Sequence, residues 1–183
     1  SRIDSGPEYL EKKPLILSSE IIQVISDLEH EAHKKLIEVE FFEESSAEIV
    51  GNPQLINILI RNIIDNAIKY TPEYGSIKIY LTDTEKNVEL IVEDSGPGIA
   101  PDAYEKSLKR FHRLEETASV AQGTGLGFSI MQRIVTIHGA EFSLGVSELN
   151  GLKVTVLFPY PRRKIDKSKT KKLGMPVSFK RAS

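Results

Sequence analysis

Cysteine is absent from the 183 residues. That excludes disulfides and thiolate metal sites and fits a reducing compartment. No apolar run approaches the roughly 20 residues that span a bilayer. No charged-then-apolar leader of the secretory kind is read in the sequence. A broad basic face is lacking too. Of the 24 Lys and Arg, nine lie from Arg162 onward, where Asp166 is the single acid. Residues 1–161 keep 15 bases against 25 acids, so a net charge of −2 divides into −10 for the body and +8 for the tail. An acidic body argues against nucleic-acid binding. The tail, residues 161–183, is expected to be a solvated, disordered end, although its charge also suits an anionic partner.

What is present is an ordinary globular balance, 40% hydrophobic and 27% charged, in a length that suits one domain with a sizeable core. Residues 1–13 are polar and read as a linker. Pro14–Leu17 is a strand candidate, and Ser18 and Ser19 offer helix N-caps. Ile21, Ile22, Ile25, Leu28, Ala32 and Leu36 follow at helical spacing. Residues 37–41 alternate as a strand. Asn52-Pro53 reads as an N-cap with proline at the first helical position. The apolar stripe from Leu55 to Ile68 carries that helix to about Tyr70, where Thr71-Pro72 stops it.

Ile77, Ile79 and Leu81, then Val88, Leu90 and Val92, alternate as two antiparallel strands. Residues 96–124 show little periodicity. Leu126, Ile130, Ile134 and Ile137 mark another helix, closed by Gly139. Residues 142–146 and 154–158 form a last strand pair. This order predicts a two-layer α/β sandwich, with a mixed sheet of about five strands and three helices on one face.

Three places carry chemistry. Asp94 continues the period-two face of Val88, Leu90 and Val92, so its carboxylate points inward. A buried carboxylate needs hydrogen bonds, and Ser95-Gly96-Pro97-Gly98 follows it as a turn. A carboxylate so placed can accept from the amino group of a flat ligand, or it can be a turn-forming Asp. Asn62, Asn66 and Lys69 share one face of a helix. Asn is a poor helix-interior residue. Two amide oxygens in register can serve a hard cation such as Mg²⁺, or the face can be merely solvated. Gly123-Thr124-Gly125-Leu126-Gly127 runs into a helix, where free N–H groups and the dipole favour an anion. No strand leads into this loop and no Walker lysine follows it, so neither common phosphate-loop architecture fits.

Together these segments resemble the N, G1 and G2 boxes of the GHKL ATPase and histidine kinase superfamily. Asn62–Pro72 is similar to the N box, Asp94–Ile99 to the G1 box and Gly123–Gly127 to the G2 box. Leu108–Leu114 resembles the F box, in its proper place between G1 and G2. The resemblance covers about residues 14–160 and identifies the chain as the ATP-binding catalytic domain of a sensor histidine kinase, with the Bergerat-type fold. It implies ATP and Mg²⁺ as ligands. Asp94 would accept the adenine amino hydrogen, with Gly96, Gly98 and Ile99 against the base. Asn66 would ligate Mg²⁺ with Asn62 beside it, and Lys69 and Tyr70 would meet phosphate and ribose. The amides of Gly123, Thr124, Gly125, Leu126 and Gly127 would hold the phosphates. Residues 99–122 would form the lid over the nucleotide, and Arg110 and Arg113 would clamp the γ-phosphate or dock a partner domain.

Hydrolytic members of the superfamily resemble each other in a water-activating glutamate where Asn62 stands. An amide takes no proton at neutral pH, so Asn62 argues for transfer to an external group. None of His30, His33, His112 and His138 sits in a phosphoacceptor setting. His30-Glu31-Ala32-His33 reads as an exposed helix face. The implied partners are a histidine-bearing dimerisation domain and a response-regulator receiver domain, the implied location cytoplasmic, and the isolated domain a monomer. Leu108, Lys109, Phe128 and Ala140 depart from the family pattern and put lid docking and rate in doubt. The rival readings are an anti-sigma-type serine kinase and a nucleotide-binding regulator without transfer.

Overall fold

The computed structural model describes residues 11–45, 47–103, 126–161 and 175–178. Strand β1 (Lys13–Ile16) leads directly into helix α1 (Leu17–Lys34). Strands β2 (Glu38–Glu43) and β3 (Glu48–Gly51) precede helix α2 (Pro53–Tyr70). Then come β4 (Ser76–Asp83), β5 (Asn87–Asp94), helix α3 (Leu126–Ile137), β6 (Glu141–Val146), β7 (Leu152–Pro159) and β8 (Met175–Ser178). The main sheet has the order β6-β7-β5-β4-β2-β8, and β1 pairs only with β3. The β2–β4 pair is parallel and the other pairs are antiparallel, so the sheet is mixed.

Alternation decides which face is buried. Phe41, Ile77, Ile79, Leu81, Val88, Leu90, Val92, Val156 and Phe158 are almost wholly buried. They meet Ile21, Val24 and Ile25 of α1, the Ile56-to-Ile68 stripe of α2, and Met131, Ile134 and Val135 of α3 in one core. Their neighbours of opposite parity, such as Lys78, Tyr80, Glu89 and Ile91, lie on the partly exposed face. There Phe42 and Tyr80 stack at 5.0 Å between centroids. The expected mixed sheet with three helices on one face is therefore present: five strands, β6-β7-β5-β4-β2, with β8 added as a sixth at the β2 edge.

Helix α2 forms as its sequence dictates. The Asn52 Oδ1 accepts from the Leu55 amide at 3.0 Å, Pro53 stands at the first position, and Thr71 ends the helix in extended conformation. Asn52→Ala is expected to cost about 1 kcal/mol in urea unfolding, with Asn52→Ser restoring most of it.

Four expectations change. Ser18 and Ser19 do not cap α1; it starts at Leu17, and no side chain caps it. The Leu17 amide instead donates to the Ala47 carbonyl at 3.3 Å, because β1 pairing with β3 brings that backbone alongside. Leu36 lies beyond α1 at φ 53 and is half-exposed, since the turn after the helix closes through the Ala32 and His33 carbonyls. Ile130 is exposed because the inner stripe of α3 runs through Met131, Ile134, Val135 and His138. Finally, residues 175–178 of the basic tail form a strand on the β2 edge, with Pro176 opposite Phe42. Proline is tolerated there because an edge strand need not donate every amide. Residues 162–174 and 179–183 of the tail lie outside the described residues.

Candidate functional site

Asp94 ends β5 opposite Ile77 and is 5% exposed. Its Oδ1 accepts from the Gly96 amide at 2.8 Å and the Leu152 amide at 3.1 Å. Burial pushes the carboxyl above its usual value, while those two amides pull it back. Among the described residues nothing donates to Oδ2. One oxygen is thus anchored and the other is left to accept a ligand N–H.

Close packing surrounds this carboxylate. A Cβ on Gly96 would stand 2.9 Å from the Tyr70 carbonyl oxygen and 3.0 Å from Asp94 Oδ1. The end of α2 therefore meets the turn that follows β5. Gly98 adopts φ +67, a conformation few side chains accept, and its Cβ would lie 3.1 Å from the Gly151 carbonyl oxygen. Ile99 follows, half-buried.

Two positioning residues escaped the sequence reading. A Cβ on Gly151 would lie 2.2 Å from the Asp94 carbonyl oxygen and 2.3 Å from Oδ1. The β6–β7 turn is drawn that close by Glu93, which is buried and accepts the Glu148 amide at 3.0 Å. Asn150-Gly151 between alternating segments signals a hairpin turn. Nothing local signals that the turn packs on Asp94.

On α2, Asn62 and Asn66 are half-buried, and Lys69 and Tyr70 are exposed. The Asn62 Nδ2 donates to the Ile58 carbonyl at 2.7 Å, which leaves its Oδ1 uncommitted to the helix. No hydrogen bond holds the Asn66 side chain among the described residues. The Lys69 Nζ stands 6.0 Å from the Tyr70 ring centroid. Thr71, next in sequence, is wholly buried, and its Oγ1 has no partner among the described residues. Among the described residues no three His, Asp or Glu cluster as a metal cage. The two amide oxygens, completed by water and phosphate oxygens, would be a hard-oxygen donor set of the kind that fits Mg²⁺.

Leu126 and Gly127 form the first turn of α3, which packs against α2. Gly123, Thr124, Gly125, Arg110, Arg113 and residues 104–122 of the expected lid lie outside the described residues. His30 and His33 are exposed on α1, as a plain helix face would have them. A cleft of about 130 Å³ lined by Ile25, Leu28, Ala32, Ile37, Val39 and Ile64 meets the N-box helix only through its apolar Ile64 and Ile68, and none of Asp94, Asn62, Asn66 and Lys69 lines it. Its lining is mostly apolar, unlike the surroundings of Asp94.

A mixed sheet covered by three helices, with an anchored carboxylate beside an amide-bearing helix end, defines a nucleotide-binding catalytic domain. The chain belongs to the family of histidine kinase-, DNA gyrase B- and HSP90-like ATPases, which it matches over residues 51–162. It is 34% identical over 158 residues to the sensor protein QseC of Escherichia coli K12, covering 85% of this chain and 34% of that protein. It is 31% identical over 160 residues to the sensor protein kinase PmrB of Pseudomonas aeruginosa PAO1, covering 87% of this chain and 33% of that protein. The chain thus spans about a third of the length of these curated relatives. Among solved structures, the catalytic domain of histidine kinase ThkA superposes with a TM-score of 0.70 at 29% identity, over 81% of this chain and 97% of that one.

Proposed function

We propose that this chain binds Mg-ATP and donates the γ-phosphoryl group to a histidine on a separate dimerisation domain, from which it passes to a response-regulator receiver domain. The observation that carries the reading is the Asp94 carboxylate. It is buried, held by two amides through Oδ1, and set against the end of the helix that bears Asn62, Asn66 and Lys69. Oδ2 takes the adenine amino hydrogen, and Gly96, Gly98 and Ile99 let the base lie against the turn. Asn66, with Asn62 beside it, supplies amide oxygens to Mg²⁺, and Lys69 and Tyr70 meet phosphate and ribose. The amides of Gly123 to Gly127 receive the phosphates, and Arg110 and Arg113 clamp the γ-phosphate.

When bound, Mg²⁺ neutralises charge on the transferring phosphoryl group. The residues of the chain position and orient; none is a base for water. Asn62 is the reason, because an amide cannot deprotonate the nucleophile. The histidine that receives the phosphoryl group is therefore expected on another domain. No helix among the described residues is long and apolar enough to cross a membrane. We place the domain in the cytoplasm, acting as a monomer when isolated.

The test is incubation with labelled ATP and an isolated histidine-bearing dimerisation domain. Acid-labile label on that domain supports the reading; acid-stable label indicates a serine kinase, and none indicates a regulator without transfer. A companion prediction concerns the cation. Asn66→Ala is expected to abolish the Mg²⁺ dependence of nucleotide affinity, measured by fluorescence titration with and without Mg²⁺. An unchanged dependence would put the cation elsewhere.

A further inference from the structure

His138, at the end of α3, is buried although no step of the proposed transfer uses it. Its Nδ1 stands 2.7 Å from the Ile134 carbonyl oxygen, which can only accept, so Nδ1 carries the hydrogen. Its Nε2 accepts from the Asn52 amide at 3.0 Å. Asn52 is the N-cap of α2. One neutral imidazole therefore ties the end of the helix that begins at Leu126 to the start of the helix that bears Asn62 and Asn66. The joint is tight: a Cβ on Gly51 would stand 3.1 Å from His138 Cδ2. The incoming backbone is fastened to the same two helix ends. The Asn52 Nδ2 donates to the Glu11 carbonyl at 3.1 Å, and the Lys12 Nζ donates to the Ile137 carbonyl at 2.6 Å.

We propose that His138 is a positioning residue for the nucleotide site, fixing α2 against α3 only while its Nε2 is unprotonated. The inference rests on the nucleotide-binding reading above and deepens it. A proton on Nε2 would take the lone pair that the Asn52 amide now uses. The two helix ends, and with them the cation-binding and phosphate-binding groups, would then lose their common anchor. Burial, the largest cause, holds the imidazole below its ordinary value; the hydrogen bond to the Ile134 carbonyl opposes it, and the nearby Lys12 ammonium adds a smaller push downward. Among the described residues Lys12 is the charged group acting on the ring, and Gly51 and Asn52 lie against it from the entrance of α2. Because the folded value is depressed, the stability from the neutral ring is present above the ordinary value of 6.5. It is lost as pH falls through the folded one.

The experiment compares Mg-ADP affinity at pH 7.5 and 5.5 for wild type, His138→Gln and His138→Ala, with thermal midpoints alongside. The titration of the nucleotide itself is common to all three and cancels in the comparison. A glutamine oxygen can accept from the Asn52 amide but takes no proton. Wild type is expected to lose at least threefold more affinity between the two pH values than His138→Gln. At pH 7.5 the Gln variant should bind within twofold of wild type and the Ala variant at least threefold more weakly. Lowered midpoints with unchanged affinities and identical pH profiles would mean a merely structural histidine and would overturn the inference. A measurement on the wild type alone covers the case in which a variant does not fold. By linkage, saturating Mg-ADP must depress the His138 titration further, read from its ring resonances. A titration unmoved by nucleotide also overturns it. Absence of Mg-ADP binding by wild type at either pH sinks the functional reading, and this inference with it.

Discussion

Asp94→Asn is expected to weaken ATP-analogue binding at least about tenfold, or about 1.4 kcal/mol, without destabilising the fold. The two halves of that expectation come from different atoms. An asparagine Oδ1 still accepts the Gly96 and Leu152 amides, so the turn stays in place. The other position becomes an N–H₂ donor facing the donor of the adenine amino group, and a required acceptor is lost. The stability half follows from the raised titration of Asp94. A carboxyl whose folded value exceeds its unfolded value contributes its stability below the unfolded value and loses it as pH rises through the folded one. At neutral pH the buried charge is therefore a cost, and an uncharged amide removes it. The thermal midpoint of Asp94→Asn at pH 7 should be no lower than that of wild type. Affinity equal to wild type would refute the adenine role.

Gly151→Ala carries the second large effect, by sterics alone. The added methyl would sit 2.2 Å from the Asp94 carbonyl oxygen and 2.7 Å from the Gly96 amide nitrogen. Both are backbone atoms of the turn that holds the carboxylate, so neither can swing aside as a flexible side chain would. Overpacking of this kind costs about 1–3 kcal/mol. Because the displaced atoms are those that orient Asp94, nucleotide affinity should fall together with the thermal midpoint. Gly145→Ala on β6 is the control. Its Cβ would find the Lys153 Cβ at 3.9 Å, an ordinary contact, so little change is expected. Wild-type affinity in Gly151→Ala would show that the turn does not position the carboxylate.

How far the sequence alone reaches depends on how local the cause is. Helix α2 was legible from Asn52-Pro53 to Thr71-Pro72 because its cap, stripe and stop lie within the helix or beside it. The β4 and β5 alternation was legible for the same reason, and it placed Asp94 inside. Gly151 and Glu93 were not legible. They act on residues more than 50 positions away, through a turn whose packing no periodicity encodes. Strand β3 is four residues long with one buried apolar side chain, Ile49, too little pattern to read. Its pairing with β1 then removed the need for a serine cap on α1. Strand β8 sits in a stretch whose basic composition hides four residues able to pair. His138 was read as structural, which its burial supports, but its bond to the start of α2 joins elements 86 residues apart.

In the proposed function the Asp94 turn, the amide face of α2 and the start of α3 border a single nucleotide pocket. Amide-resolved NMR during titration with Mg-ADP tests that placement directly. The largest shifts are expected at the Gly96 and Leu152 backbone amides, the Asn66 side-chain amide and the Gly127 amide. Unmoved signals at those positions, with shifts gathered instead at Ile25, Leu28 and Val39 along the apolar cleft, would contradict it.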